Sequence, residues 1–436
     1  MTHAHDGDHL LRVDALARVE GEGAMHVRVV DGRVTEVELR IYEPPRFFEA
    51  LLRGRSFVEA PDITARICGI CPVAYQMSAC QAIEAACGVE VPDEIRRMRR
   101  LLYCGEWIES HSLHVYLLHA PDFLGYDSAI DLARDHREVV ERGLRLKKAG
   151  NALMTLVGGR SVHPVNVRVG GFYRLPHREE LDDLRPALAQ ALDDALETVR
   201  LVGTFAFPVF EQPHEYLALR APGEGYPLER GRVTTTGGLA FDAAELDRHV
   251  VEEHVARSTA LHSHLAGSGA RYAVGPLARY ALNADRLSPR AAEAASEAGL
   301  GAPCRNPFRS IVVRAVETVY ACEEALAIID GWTGASAPSV EVAPRAGVGY
   351  GATEAPRGVL FHRYEIDADG SILDARIVPP TSQNQASIEA DLLSFTQANL
   401  ALDDEELTRR CEQAIRNYDP CISCATHFLD VTVDRS

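Results

Sequence analysis

Two Cys-x-x-Cys pairs are the residues of this chain best suited to chemistry. Cys68-Gly-Ile-Cys71 is followed by Pro72, and Cys421-Ile-Ser-Cys424 is preceded by Asp419-Pro420. A two-residue gap lets both sulfurs of a pair face one ion, and four thiolates make a soft site suited to zinc, nickel or iron. Gly69 permits a tight turn. Pro72 fits the first position of a helix, whose partial positive charge favours thiolate over thiol. From spacing alone, a structural zinc site with four cysteine ligands carries about half the weight. Against zinc, about 350 residues separate the pairs, whereas zinc ribbons usually close over a short loop. A thioredoxin-type redox pair fits less well, since neither pair sits in a thioredoxin-like pattern. Cys80, Cys87, Cys104, Cys304, Cys322 and Cys411 show no cluster spacing and read as core.

The elements that must position these pairs read as α+β, predominantly helical. A long-helix bundle forms the core, with small antiparallel β elements near both ends. The stretch from His26 to Val30 alternates, Asp31-Gly32 signals a hairpin turn, and Arg33 to Tyr42 alternates again. Helical patterns cover the first Cys pair's continuation from Pro72 and then roughly 94–118, 133–156, 178–202, 243–266 and 309–334. A second hairpin joins 359–366 to 371–378 through Asp-Ala-Asp-Gly, and helices follow over 386–398 and 404–417. No repeat or linker divides the chain, so residues 1–436 read as a single domain. Its two ends must meet if the pairs share one site.

Net charge is −18 over 436 residues. An acidic surface repels phosphate backbones and excludes nucleic acid as a partner. No apolar run approaches the roughly 18 residues that cross a bilayer. The opening MTHAHDGDHL lacks the apolar segment of a signal peptide, so a cytoplasmic location is the expectation. His3, His5 and His9 read as part of a polar tail.

RICGICPVAYQMSA and DPCISCATHF closely resemble the two signatures of nickel–iron hydrogenase large subunits. Further motifs follow in the family's order: Arg18-Val-Glu20-Gly, RFFEALLRGR around Glu49, ESHSLHVYLLHAPDF from Glu109, GGRSVHPVNVRVGG from Gly158, EAPRGVLFH from Glu354 and VPPTSQNQ from Val378. The resemblance covers essentially the whole chain. It implies reversible heterolytic splitting of dihydrogen at a nickel–iron site. Cys68 and Cys421 would be terminal nickel ligands, and Cys71 and Cys424 would bridge nickel and iron. The iron of this family carries carbon monoxide and cyanide, which maturation proteins must build and insert. Glu20 would relay a proton from the Cys421 thiolate. Arg357 would overhang the open position, held by Asp419, as an alternative base or as the group that orients dihydrogen and bonds a cyanide. Pro380 and Thr381 match the segment that bonds the cyanide. Glu49, a carbonyl near Arg376 and His427 would hold a second metal, magnesium or iron.

Two departures bear on the branch of the family. Tyr75 stands where many relatives have His, and Ser110 where many have Asp. Both point to the cytoplasmic, NAD(P)-linked bidirectional or sulfhydrogenase-type branch, with a deazaflavin-reducing relative as the alternative. Ser110 also leaves Asp419 to hold Arg357 alone. His163 reads as a structural hydrogen-bonding residue near the site. A respiratory-type subunit without enzymatic activity shares the fold but has lost the cysteines. No ferredoxin-type cysteine run or nucleotide fingerprint occurs here. An iron–sulfur small subunit and further subunits carrying flavin and NAD(P) are therefore the expected partners. The tail 428–436 is a candidate for removal by a processing endopeptidase.

Overall fold

The computed structural model describes residues 9–43, 47–221 and 225–426. Its helices of eight residues or more are α1 (Pro72–Cys87), α2 (Asp93–Leu113), α3 (Arg137–Gly158), α4 (Arg178–Gly203), α5 (Pro276–Asn283), α6 (Pro289–Glu297), α7 (Ser310–Asp330), α8 (Pro380–Ala398) and α9 (Asp404–Arg416). α2 packs on α3 and α7, and α7 packs on α4, which makes the long-helix bundle. α1 begins with Pro72 and ends at Gly88 in the left-handed region, φ 69°, the backbone geometry that glycine tolerates best. Past His114 the expected helix over 94–118 opens into a π-helical turn, His114–His119. α8 starts at Pro380, six residues before the expected start, because proline suits a first turn.

The N-terminal sheet joins the two chain ends. β1 (His9–Val13), β2 (Gly23–Val30) and β3 (Arg33–Ile41) pair antiparallel in that order. Asp31 and Gly32 take φ of 48° and 70°, as a two-residue hairpin turn requires. Met25, Val27, Leu39 and Ile41 bury one face against Ile388, Leu392 and Phe395 of α8 and Ile415 of α9. Side chains of α8 also satisfy the sheet's backbone, with Leu39 N donating to Glu389 Oε1 at 2.9 Å and Val34 N to Gln397 Oε1 at 2.8 Å. His9 thus begins a strand, while His3 and His5 lie outside the described residues.

Two parts of the middle differ from expectation. β4 (Leu217–Arg220), β5 (Arg232–Thr235) and β6 (Ala240–Phe241) form a sheet, so β structure is not confined to the chain ends. Residues 243–266 are not a helix. Helical turns over 243–249 lead into β7 (Val250–Glu253), which pairs with β8 (His262–Leu265). Val250 and Leu265 reach an apolar cluster with Leu217 and Val233. The charged run Glu252-Glu253-His254 offers no helical apolar face, and β-branched valines favour the strand.

β9 (Gly347–Ala355), β10 (Gly358–Ile366) and β11 (Ile372–Val378) form the last sheet. β9 was not anticipated, because its glycine-rich start has no strand signature. The glycines let α1 lie directly on the strand. A Cβ on Gly349 would sit 1.9 Å from Ala82 O and 2.4 Å from Ala86 N, both backbone atoms that no rotamer change can move. Gly349→Ala is therefore expected to cost at least about 3 kcal/mol and to displace the helix behind Cys71. Gly301→Ala, whose Cβ meets nothing within 4 Å, is expected to stay within about 0.5 kcal/mol. Thermal unfolding of the two variants checks the contrast.

Candidate metal centre

Three chain segments converge on one buried point. Cys68 follows the turn Ala65–Ile67 in extended conformation, and Cys71 sits immediately before α1. Cys421 and Cys424 flank the start of the helical turn Ile422–Ala425. The Cys68, Cys71, Cys421 and Cys424 sulfurs all lie within 4.8 Å of one another, and all four residues are buried. Cys68 Sγ lies 3.5 Å from Cys421 Sγ, which lies 2.7 Å from Cys424 Sγ. Hydrogen bonds from the neighbouring thiols pull the Cys68 pKa well down, whereas burial pushes Cys421 well up. The other six cysteines are buried apart from this group.

The third segment brings Glu20. It forms a parallel bridge with Cys421, and Ile422 N donates to Glu20 O at 2.9 Å. The Cys421 thiol donates to Glu20 Oε2 at 3.0 Å, and Ser423 N donates to the same oxygen at 3.2 Å. This close approach needs Gly21, at φ 91°, where a Cβ would sit 2.7 Å from Ile422 Cβ. Arg18 anchors the segment from the other side. It pairs with Asp122, which also receives Arg416 Nε at 2.7 Å and Nη2 at 2.9 Å.

Arg357 stands at the β9–β10 turn, 2% exposed. Its Nε donates to Asp419 O at 2.7 Å and Nη2 to Asp419 Oδ1 at 3.2 Å. Nη1 has no hydrogen-bond partner among the described residues. Burial opposes the charge, but Asp419 and the cysteine sulfurs outweigh it and hold the guanidinium protonated well above its usual range. A network absent from the sequence reading holds the turn. Arg279 donates to Ala355 O at 2.9 Å and Pro356 O at 2.8 Å. It also grips Glu317 at 2.7 and 2.8 Å and Glu354 at 3.0 Å. Against the penalty of burial, Arg279 and His111 bring Glu317 down to about 2, while burial lifts Glu354 to about 7. Glu354 opens the motif EAPRGVLFH, whereas the only sequence signal of Arg279 and Glu317 is charge inside otherwise apolar helices.

The start of α1 differs from what its sequence predicts. The free amides at the start of α1 do not face the thiolates. Glu106 of α2, fully buried, accepts from Val73 N at 2.6 Å and Ala74 N at 3.2 Å. Cys68 Sγ instead takes Ile70 N at 3.3 Å and Cys71 N at 3.4 Å, from the loop before the helix. The Glu106 carboxyl, whose pKa burial pushes well up despite these two bonds, therefore takes the amides that would otherwise be open to the sulfurs.

Thr381 is beside the second pair, with Cys421 N donating to its Oγ1 at 3.0 Å, and Pro380 begins α8 there. The hydroxyl proton of Thr381 is still free to point elsewhere. Glu49 accepts from Ile377 N at 2.7 Å, next to Arg376, whose side chain pairs with Glu252 at 2.9 Å. Glu49, Tyr75, Ser382 and Cys424 share a cavity of about 350 Å³. His427 and 428–436 lie outside the described residues. His163 Nδ1 meets Ala65 O at 2.7 Å and so steadies the turn before Cys68. Ser110 is buried and makes no bond to Arg357.

Tyr75 is 1% exposed, and its ring lies 5.7 Å from that of His362. Burial holds His362 neutral, with its pKa taken from 6.5 to about 3. Above 6.5 both folded and unfolded states hold it neutral. Between about 6.5 and 3 only the unfolded state takes the proton, so this histidine makes stability fall as pH drops. His362→Phe is expected to reduce the stability lost between pH 7 and 5 by about 2 kcal/mol. Denaturant midpoints at the two pH values measure it.

The donor set fits a soft metal pair. Four sulfurs converge, a carboxylate meets one of them, and a buried cation presents an unsatisfied N–H. A structural zinc ion would use the same sulfurs but would give no role to the last two groups. Residues 46–142 and 268–427 match the family described as nickel-dependent hydrogenase. The chain is 34% identical over 424 residues to the alpha subunit of sulfhydrogenase 1 from Pyrococcus furiosus, covering 96% of this chain and 98% of that one. It is 27% identical to the beta subunit of the NAD-reducing hydrogenase of Cupriavidus necator, covering 96% and 95%. A solved NAD+-reducing [NiFe]-hydrogenase in the H2-reduced state superposes with a TM-score of 0.88 at 28% identity, covering 96% and 99%. The Ni-Fe-Se hydrogenase of Desulfovibrio vulgaris Hildenborough shares the fold, with a TM-score of 0.80 at 24% identity.

Proposed function

This chain belongs to the nickel-dependent hydrogenases as a large subunit, and from that premise we propose how its residues divide the work of splitting dihydrogen. The carrying observation is the 3.0 Å hydrogen bond from Cys421 Sγ to Glu20 Oε2 inside the four-sulfur group. When bound, a nickel–iron pair bearing carbon monoxide and cyanide supplies the electron-rich, open position at which dihydrogen is polarised. Cys68 and Cys421 would hold it as terminal ligands, and Cys71 and Cys424 as shared ones. The Cys421 sulfur receives the proton and passes it to Glu20, which is half-buried. Arg357 acts as a fixed cation. Its Nε and Nη2 are held by Asp419, which suits a group that orients and polarises more than one that serves as the base. Its Nη1 and the Thr381 hydroxyl are the donors that orient the small ligands. Glu49, the Arg376 carbonyl and His427 would hold a second metal, magnesium or iron.

The electrons leave through an iron–sulfur partner subunit. The six cysteines outside the site are dispersed through the core and cannot form a relay of their own. The acceptor proposed is NAD or NADP, by likeness to the NAD-reducing relatives, with sulfur as a second acceptor by likeness to the sulfhydrogenase. Maturation proteins insert the iron fragment, and the tail 428–436 is removed afterwards. No helix among the described residues is long and apolar enough to cross a membrane.

The test is an anaerobically prepared complex, analysed for metals and by infrared spectroscopy. Nickel with iron, together with bands of metal-bound carbon monoxide and cyanide and hydrogen-dependent reduction of NAD(P), is the expected result. Zinc alone, or active complex without those bands, overturns the reading.

A further inference from the structure

Asp419 takes φ of 50°, a left-handed backbone that residues other than glycine rarely adopt. Its grip on Arg357 depends on that conformation. One bond goes to the Asp419 carbonyl and the other to its side-chain Oδ1. A backbone relaxed to the right-handed or extended region would swing Oδ1 relative to the carbonyl. One guanidinium could then no longer meet both and still hold Nη1 in one place. Such a conformation is costly and persists only where the surroundings over-determine it.

The surroundings of Asp419 tie the chain to α8 on both sides. After it, Cys421 N donates to Thr381 Oγ1 at 3.0 Å. Before it, the Tyr418 hydroxyl donates to Asp391 Oδ2 at 2.7 Å. Thr381 and Asp391 belong to the same helix, about 15 Å apart along its axis, so the two tethers keep a fixed spacing. His214, just before β4, completes the second tether. Its Nε2 meets Asp391 Oδ2 at 3.2 Å and the Tyr418 hydroxyl at 3.1 Å. The side chains of His214 and Asp391 are each 4% exposed. Shielded from water, three polar groups that close on one another hold more firmly than they would at the surface. Ser310 Oγ and Arg314 Nη1 pin the carbonyl of Asn417 at 2.7 and 3.0 Å. The chain entering Tyr418 is thus fixed, and the Tyr418 side chain fixes the rotations that follow.

We propose that Tyr418, Asp391 and His214 form a clamp that holds Asp419 in its left-handed conformation and thereby aims the Arg357 guanidinium at the metal site. This rests on the reading of Arg357 as the cation that orients the small ligands there. The three act through Asp419 and Arg357 and not on the reacting atoms, so they are positioning residues.

A cycle of substitutions in the anaerobically prepared complex tests the clamp, read by infrared spectroscopy and by hydrogen-dependent dye reduction. Tyr418→Phe removes one hydroxyl and leaves the ring in its apolar packing. It is expected to keep nickel and iron, to move the cyanide bands more than the carbon monoxide band, and to lower kcat about tenfold. Arg357→Lys keeps the charge but loses the fork that Asp419 grips. With the fork gone the clamp has nothing left to aim. Adding Tyr418→Phe to Arg357→Lys should therefore change kcat by less than about twofold. Losses that multiply in the double variant, or cyanide bands unmoved in Tyr418→Phe, overturn the proposal. If the Tyr418→Phe complex does not assemble, His214→Phe takes its place in the same cycle, and the same outcomes decide. Missing infrared bands in the unsubstituted complex would instead overturn the reading of the site on which the clamp rests.

Discussion

Cys421→Ser should abolish hydrogen turnover, by more than about 10⁴-fold, and strip nickel from the chain. A hydroxyl is hard, has a high pKa and is a poor ligand for a soft ion, so isosteric replacement removes binding and not shape. Cys421 is also the hub of the group. Its sulfur contacts Cys68, Cys424 and Glu20 at 3.5, 2.7 and 3.0 Å. Its amide is fixed by Thr381 and its neighbour's amide by Glu20. Because these backbone bonds survive the substitution, the protein should fold. The assigned roles then make a sharper forecast. Cys421 is proposed as a terminal ligand and Cys424 as a bridge, so Cys421→Ser should lose nickel and keep a share of the iron, whereas Cys424→Ser should lose both. Elemental analysis of the two purified complexes measures this. Equal loss of both metals from both variants would refute the division of roles while leaving the site itself in place.

Much of this site is legible in sequence because its parts are local. A Cys-x-x-Cys pair sets its own geometry, and Pro72 and Gly88 mark the limits of α1 within the same stretch of chain. Asp31-Gly32 likewise needs only its own two residues to make the first hairpin turn. The convergence of Glu20 with Cys421 was legible only through motif order, since no local rule joins residues about 400 apart.

What sequence reasoning missed was settled by tertiary contact. The glycines of β9 carry no strand propensity, and they form a strand because α1 comes too close for a Cβ. Residues 250–265 lie within the helix expected over 243–266, yet they become a strand pair in which Val250 and Leu265 stand opposite each other and meet the same apolar cluster. Glu106 gave no signal of its own, because capping α1 from α2 depends on how the two helices cross. The same holds for Arg279, whose five bonds to Glu317, Glu354 and two carbonyls come from three separate elements. That network fixes the turn on which Arg357 stands. It leaves Arg357 rigid and charged, which suits a group that orients and polarises but does not accept a proton.

Glu20→Gln should lower hydrogen oxidation and evolution by about 10²–10³-fold while leaving nickel, iron and the infrared bands in place. The amide is nearly isosteric with the carboxylate. Its oxygen can still accept from Ser423 N, as Glu20 Oε2 does at 3.2 Å. It cannot accept a proton from Cys421 and release it again, so the substitution removes transfer and preserves structure. Glu20→Asp keeps the carboxyl group but shortens the side chain by one methylene, which lengthens a 3.0 Å contact beyond direct transfer unless a water fills in. A loss intermediate between wild type and glutamine is expected for it. Steady-state rates in H2O and D2O discriminate the causes, because slowed proton transfer raises the solvent isotope effect and a distorted metal site does not. Wild-type turnover in Glu20→Gln with full metal content would place the primary proton exit elsewhere and refute the role given to this carboxylate.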